Sequence, residues 1–203
     1  MLADLHMIPG HNHRKGFFPE TTFKELVHEQ AVSEELRHCS MGMGSNAVNA
    51  IANTVCGTKA FKRLFVLLVI MEKVSEIQRF IDSGVSDCVL PLKKLSKSHL
   101  FHLGLDVDSG KTVQRLSCFD GWKTSEIRMF EEWQWTTIAP ILEQGERGID
   151  RHLVLQDEIP LPFEADSRSG SSPEVYLGGF STVFKVAIHP AHHRFNVPQV
   201  GLL

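Results

Sequence analysis

The chain has 203 residues, of which 42% are hydrophobic, and its formal net charge is -3 at pH 7. That length and composition predict a folded protein with a sizeable core. The slightly acidic charge and the scattered basic residues argue against binding to nucleic acid or to an anionic membrane. The cysteines show no C-x-x-C spacing, so we expect reduced, mostly packed thiols and neither a zinc site nor a disulfide framework.

Residues 1–19 predict an irregular segment that lacks the unbroken apolar core of a signal peptide. The longest apolar run, LFVLLVIM at residues 64–71, is far shorter than the ~20 residues that a membrane-spanning helix needs. We therefore expect a soluble, cytoplasmic protein.

Residues 20–145 predict a mainly α-helical domain, organised as a bundle. The spacing of apolar residues predicts a first helix over residues 21–38, with Thr21 or Thr22 as its N-cap. The turn-rich stretch CSMGMGSN then leads into a short helix that Gly57 should end.

The strongest helical pattern lies between Thr58 and Gly84. Its apolar residues step by three or four, and its middle is apolar on nearly all sides, which predicts a central helix covered on both faces. The segment DCVLPLKKL then predicts an extended exit from the bundle, and residues 93–121 are polar and weakly periodic. A last helix is expected after Thr124, with a kink or a new turn at Pro140.

Beyond residue 145 the pattern becomes extended. RHLVLQDEIPLPF predicts a bridging strand within residues 146–165, and the polar stretch at residues 166–174 predicts a flexible linker. Residues 175–203 predict a short β region, made of a hairpin and a tail.

The hairpin sequence YLGGFSTVFKVAIH contains the strongest candidate for a nucleotide site. Protein kinases close a G-x-G-x-x-G-x-V hairpin over the phosphates of ATP, because glycine lets the backbone approach them closely. Gly178, Gly179, Phe180, Ser181 and Val183 align with the second half of that pattern, with a serine at the third glycine and Tyr176 at the first. A shorter alignment takes Gly178 as the first glycine and deletes one residue. Spacing by itself leaves a plain β-hairpin as the alternative.

One lysine-strand pattern and one further glycine pattern are weaker indications of a nucleotide site. VAIH resembles the kinase V-A-I-K, but it follows the loop too closely, and we place His189 on the second strand of the same hairpin. Histidine is also mostly neutral at about pH 7, so it cannot replace that lysine. GMGSNA fits the dinucleotide fingerprint, but a helical pattern precedes it, so we expect a turn between two helices.

The histidines of HPAHH and the tryptophans of FEEWQWTTIAPIL have simple structural interpretations. Pro190 opposes a helix that would bring His189 and His193 onto one metal, and no acidic partner is nearby in the sequence, so we expect solvated loop histidines. For the tryptophans, core packing is favoured over an exposed docking face, although tryptophan is enriched in binding hot spots.

Several segments, in this order, make the chain resemble the N-terminal part of a group of filamentous-fungal protein kinases, in which a helical region precedes a serine/threonine-type kinase domain. They are FVLLVIMEKVSEIQRFIDSGVSDCVLPL, FEEWQWTTIAPIL, VLQDEIPLPF and GGFSTVFKVAIHPAHHRF, and the resemblance runs from about residue 18 to residue 195. It implies ATP-dependent phosphorylation of protein hydroxyls with ATP and Mg. Gly178, Gly179, Phe180 and Ser181 would then cover the phosphates, and Val183 would contact the adenine.

The chain also departs from that family. No lysine follows Lys185, and the sequence contains neither an H-R-D catalytic loop nor a D-F-G metal motif. We therefore expect a truncated kinase-like protein with no catalytic or metal-binding residue, a β region like the first strands of a kinase N-lobe, and weak or absent ATP affinity. The alternative is a non-catalytic interaction or adaptor module that binds a protein partner through residues 20–145.

Overall fold

Helices dominate the regular structure of this chain, as the sequence predicts. The computed structural model describes residues 7–9, 16–39, 42–58, 61–95, 102–106, 113–143, 153–164, 175–177 and 182–195. In these residues the α-helices are α1 (Glu20–Glu25), α2 (Glu29–Cys39), α3 (Ser45–Cys56), α4 (Lys62–Ile70), α5 (Ile77–Asp82) and α6 (Thr124–Trp133).

Short strands and 3₁₀ turns complete the described structure. The strands are β1 (Lys93–Lys94), β2 (Leu103–Asp106), β3 (Val113–Arg115), β4 (Leu142–Glu143), β5 (Phe163–Glu164), β6 (Val175–Leu177), β7 (Thr182–Phe184), β8 (Ala187–Ile188) and β9 (His193–Arg194). The 3₁₀ turns are Val74–Glu76, Asp87–Val89, Ser117–Phe119, Gln134–Thr137 and Pro190–His192.

The first predicted helix is in fact two helices. The helical segment begins at Glu20 after Pro19, so neither Thr21 nor Thr22 is its N-cap, and α1 ends at Glu25. The prediction fails because His28 starts a new helix: its Nδ1 atom accepts a hydrogen bond from the Ala31 amide at 3.3 Å. Helix N-termini need such acceptors, since their first amides have no partner within the helix.

The predicted central helix is also interrupted. Glu72 has a φ of 56°, and the amides of Glu72 and Lys73 bond to the carbonyls of Val69 and Leu68, which is the Schellman motif that ends α4. The same pattern of bonds ends α5 at Gly84, where the sequence predicts a stop. The prediction of burial on both faces is confirmed, because residues 64–68 are all buried.

Other helix boundaries agree with the sequence more closely. Helix α3 ends at Gly57, and Gly42 and Gly44 lie between α2 and α3, so GMGSNA is a helix-to-helix turn. Helix α6 starts at Thr124, and Glu126 accepts a hydrogen bond from the Lys123 amide at 2.8 Å. The helical segment ends before Pro140.

A small antiparallel sheet occupies the region that the sequence describes only as polar and weakly periodic. Its strand order is β1-β2-β3, with Lys94 opposite Leu103 and Leu105 opposite Gln114. Strands of two to four residues are too short for an alternating pattern to stand out. The sheet still contributes Leu103 to the core.

In the described part of the predicted bridging strand, residues 153–164, most residues are not in a strand. Of the described residues 153–164, only Phe163–Glu164 form a strand, and Val154 is 95% exposed. Pro160 and Pro162 have no amide hydrogen to donate to a ladder, which limits strand formation here.

The core lies between the helices. The rings of Phe80, Phe119, Trp122 and Phe130 contact one another edge-on or stacked. Of the two tryptophans of FEEWQWTTIAPIL, Trp135 is buried and Trp133 is partly buried and packs against the core, so the prediction of core packing is confirmed for this pair. The cysteines are free, but Cys39 and Cys88 are exposed, so the prediction of mostly packed thiols is wrong for those two.

Among the described residues, no helix combines the length and the apolar character that crossing a bilayer requires.

Candidate functional site

The β-hairpin predicted near the C-terminus is present. Strands β6 and β7 pair antiparallel, with Tyr176 opposite Val183 and Leu177 opposite Thr182. Gly178, Gly179, Phe180 and Ser181 lie between these strands in the sequence and outside the described residues. Val183 is located by its backbone in β7. The residues predicted to bind a nucleotide thus belong to one hairpin, of which the structure describes the two strands.

The second strand of the hairpin is shorter than the sequence suggests. Strand β7 ends at Phe184, and Ala187–Ile188 pair with Phe163–Glu164 as a separate antiparallel pair. His189 follows that second pair, so its predicted position on the loop's own second strand is wrong. Its amide donates to the Pro162 carbonyl at 2.9 Å, which draws the chain away from the hairpin.

The residues after the hairpin pack against the helical part of the protein. His193–Arg194 form a parallel pair with Leu142–Glu143, and the Arg194 guanidinium contacts the Glu143 carboxylate at 2.8 Å. We call residues 187–194 the docking segment. This segment follows the hairpin in the chain and contacts the helical part of the protein.

His192 is the buried centre of this contact, with 1% of its surface exposed. Its Nε2 atom accepts a hydrogen bond from the Glu20 amide at 3.1 Å, and its Nδ1 atom lies 3.0 Å from the Pro140 carbonyl oxygen. Because a carbonyl oxygen can only accept, Nδ1 carries the hydrogen, and the ring is a neutral tautomer with both nitrogens used. The expectation of a solvated loop histidine is therefore wrong for His192.

Two aromatic contacts and a short turn fix the ring in place. Phe17, which is fully buried, lies edge-on to His189 and His192, with ring centroids 5.7 and 5.1 Å apart. His189 accepts the Ala191 amide at 3.1 Å through Nδ1, and its Nε2 lies 3.6 Å from Glu164. An acidic neighbour is thus present where the sequence indicates none. We call Phe17, Glu20, Pro140, His189 and His192 the histidine junction.

Charged groups extend the histidine junction toward α4. The Glu20 carboxylate contacts the Arg63 guanidinium at 2.8 Å. Burial lowers the pKa of His192 below its usual value, although its bond to the Pro140 carbonyl and the nearby Glu20 oppose that shift. His192 is therefore neutral at physiological pH.

Asp87, in the 3₁₀ turn that follows α5, is a half-buried carboxylate at the N-terminus of α4. Its carboxylate accepts the amides of Arg63 and Leu64 at 3.0 and 2.9 Å. Burial raises the pKa of Asp87 to about 6, and these hydrogen bonds only partly oppose the effect. The contact caps the N-terminus of α4, whose adjoining residue Phe61 makes no side-chain cap.

The described residues offer no site for a metal ion. They contain no group of three His, Cys, Asp or Glu side chains arranged to hold one. Both nitrogens of His192 and the Nδ1 atom of His189 are used on amides and on a carbonyl, and the Nε2 atom of His189 lies 3.6 Å from the Glu164 carboxylate.

A small cleft lies beside α6. Its volume is about 190 Å³, and it is lined by Met7, Gly16, Glu132, Trp133 and Thr136. Pockets that hold nucleotide-sized molecules usually measure about 300 to 1,000 Å³. This cleft is therefore too small to be an ATP site.

The sequence predicts the surroundings of His189 better than those of His192. The partners of His192 are 172 and 52 residues away, so nothing local predicts its burial. The Pro190 that follows His189 does indicate a turn, because proline is favoured at the first position of a helical turn.

A scan of the chain against protein-family models finds no match, and searches among curated proteins and among solved structures find none either. Function has to be inferred from the sequence motifs and from the geometry of the described residues.

Proposed function

We propose that the chain is the helical region and the first hairpin of a kinase-like ATP:protein phosphotransferase, and that residues 1–203 bind Mg-ATP weakly without transferring phosphate. The observation that supports this proposal is the register of β6 and β7. Leu177 lies opposite Thr182, so four residues, 178 to 181, join two antiparallel strands. Kinase glycine loops are carried by such a strand pair.

The chemistry of the connecting residues is compatible with a phosphate-binding role. Gly178 and Gly179 have no side chain to hold the backbone away from a phosphate, and backbone amides are good anion donors. Ser181, at the position of the third glycine, adds a hydroxyl and a Cβ, which would weaken the approach. Val183 would contact the adenine ring.

The proposal includes inactivity because phosphoryl transfer needs groups that these 203 residues lack. The metal-binding Asp and Asn, the catalytic Asp and the β3 lysine position and neutralise the transferring phosphate. The sequence has no H-R-D or D-F-G triplet, and its last lysine is Lys185. A hairpin without these groups can contribute to nucleotide binding and not to transfer.

Isothermal titration of the full chain with Mg-ATP tests the nucleotide part of the proposal. We expect saturable binding with a Kd in the region of about 1 mM or somewhat tighter. Gly179→Asp should abolish it, because a carboxylate would then face the phosphates. Gly170→Asp makes the same change in the predicted linker and should leave binding unchanged. Absence of saturation for the unaltered chain would rule out nucleotide binding.

A radiolabelled ATP assay tests the inactivity of the chain. With a general protein acceptor and Mg-ATP, we expect no phosphate transfer above the level of a heat-denatured sample. Transfer that Gly179→Asp removes would contradict the proposal, because it would mean that other residues replace the missing catalytic groups.

A second candidate function is a non-catalytic interaction module acting through residues 20–145. The core supports it, since the buried cluster of the described residues runs from Phe18 to Phe130 and so lies almost entirely within residues 20–145. A protein partner that binds the full chain and the Gly179→Asp variant with equal affinity, in a purified pair without ATP, would favour this module. Binding that depends on Mg-ATP would favour the kinase-like proposal.

A further inference from the structure

We propose that the histidine junction is a pH-sensitive latch, in which protonation of His192 releases the docking segment, residues 187–194, from the helical part of the protein. The proposal concerns the attachment of this segment and does not depend on nucleotide binding by the hairpin.

The hydrogen-bond geometry makes His192 incompatible with a second proton. Its Nε2 accepts the Glu20 amide at 3.1 Å while Nδ1–H donates to the Pro140 carbonyl at 3.0 Å. A proton added to Nε2 would point a donor at the Glu20 amide, which is also a donor. The bond would be lost, and a charged ring would remain buried beside Phe17.

The surrounding charges do not remove this conflict. Arg63 on α4 and His189 in the docking segment oppose a positive charge on His192, and Glu20 favours it. The Glu20 carboxylate is already paired with Arg63 at 2.8 Å, and Lys24 lies 3.9 Å from its other oxygen. Glu164 faces His189 at 3.6 Å. A protonated His192 therefore gains little from its surroundings.

Apart from His192, the docking segment is held by two short strand pairs, by the His189 amide on the Pro162 carbonyl, by His189 beside Glu164, and by the Arg194–Glu143 ion pair. Its strands β8 and β9 each contribute two paired residues. The Arg194–Glu143 ion pair is largely exposed, and exposed ion pairs contribute ~0–1 kcal/mol to stability. Since His192 is the buried polar anchor of this segment, loss of its bond to Glu20 should open the segment without unfolding the helices.

The direction of the pH effect follows from linkage. The pKa of His192 is lower in the docked state than in a released, solvated segment, so the released state binds the proton more tightly. Docking is complete above the usual histidine pKa and weakens as pH falls below it. One proton changes the opening equilibrium by up to about tenfold per pH unit.

Amide hydrogen exchange followed by NMR tests the latch in the full chain. The reporters are the amides of Glu20 and His189, which bond to His192 and to Pro162, and the Phe65 amide in α4 serves as the internal reference. After correction for intrinsic exchange, protection of both reporters should fall by up to about tenfold per pH unit below about pH 6.5, and Phe65 should stay protected.

Two substitutions separate the latch from a general effect of histidine titration. His192→Gln can still accept from the Glu20 amide and cannot be protonated, so the reporters should become independent of pH. His189→Asn keeps an acceptor for the Ala191 amide and should retain the pH response. A pH response that His192→Gln preserves, or that His189→Asn removes, would overturn the latch.

A titration of the unaltered chain keeps the test decisive if His192→Gln fails to fold. Long-range ¹H–¹⁵N spectra of the ring should identify the Nδ1–H tautomer at neutral pH and give the protonation midpoint of His192. Loss of reporter protection has to follow that protonation. Reporters that stay protected after His192 is protonated would contradict the proposal.

Discussion

The carboxylate of Asp87 accepts a hydrogen bond of 2.9 Å from the Leu64 amide, so a residue that follows α5 in the sequence caps the N-terminus of α4. A second bond, from the Arg63 amide at 3.0 Å, completes the cap. Helix α4 contributes a continuous buried stretch to the core, so this contact stabilises the N-terminus of a largely buried helix.

Two replacements of Asp87 should separate the stability that its hydrogen-bond acceptor provides from the effect of its charge. Asp87→Asn keeps an acceptor for the α4 amides, and Asp87→Ala removes it. We expect the alanine variant to be less stable than the asparagine variant by about 1 kcal/mol, the usual value of an N-cap. Urea denaturation at several pH values measures the difference. Equal stability of the two variants would mean that the cap contributes nothing.

The charge of Asp87 should give stability a recognisable pH dependence. Its folded-state pKa of about 6 lies above the usual aspartate pKa of 3.8, so the folded protein binds this proton more tightly than the unfolded chain. Its contribution is complete below the lower value and is lost as pH rises through about 6, by up to roughly 3 kcal/mol in total.

The measurement compares the unaltered chain with Asp87→Asn at several pH values. The stability difference should shift in favour of the variant between about pH 4 and about pH 7. Subtraction of the two curves cancels the opposite dependence of His192. Asp82→Asn, which removes an exposed carboxylate, should not produce this shift. A difference that is constant with pH would contradict burial of the Asp87 charge.

Gln134 should be far more important for stability than its residue type suggests. It is fully buried, accepts the Leu92 amide at 2.7 Å and donates to the Leu92 carbonyl at 3.1 Å. Gln134→Leu should cost about 2 to 4 kcal/mol, because two buried backbone groups lose their partners. Gln78→Leu changes an exposed glutamine and should stay within about 0.5 kcal/mol. Similar urea midpoints for the two variants would refute this role.

Glu72 should be replaceable by glycine with a gain in stability. Its φ of 56° lies in the left-handed region, which disfavours side chains with a Cβ atom. Glu72→Gly should therefore raise the free energy of unfolding by about 0.5 to 1 kcal/mol. The same change at Gln78, inside α5, should lower it by about 1 kcal/mol. Thermal denaturation of both variants should show these opposite changes in stability. A loss of stability in Glu72→Gly would contradict the prediction.

Ser181→Gly should strengthen the nucleotide binding proposed for the hairpin. The substitution restores the third glycine of the kinase pattern and removes a Cβ where the backbone would approach a phosphate. We expect Kd for Mg-ATP to fall by about threefold to tenfold. Ser172→Gly, in the predicted linker, is the matched control. Weaker binding by Ser181→Gly would argue against the kinase-like alignment.

The fold was readable from the sequence where its signals are local. The long apolar periodicity predicts the helical character of residues 20–82. Gly84 marks a helix end because its φ of 69° favours glycine, and Gly57 marks one because a Cβ atom there would lie 2.9 Å from the Asn53 carbonyl oxygen. The β6–β7 hairpin follows from two short apolar runs around Gly178 and Gly179. The kinase-like interpretation also comes from sequence motifs, and it remains a prediction.

The tertiary structure decided what depends on distant partners. Glu72 ends α4 as Gly84 ends α5, yet a glutamate carries no sequence signal for a left-handed turn. Gln134 and His192 are polar residues whose sequence neighbours do not predict their hydrogen bonds, which are made to Leu92, Glu20 and Pro140. The sequence determined which segments are helical because periodicity lies within each segment, whereas packing determined the junction because its hydrogen bonds join segments far apart in the chain.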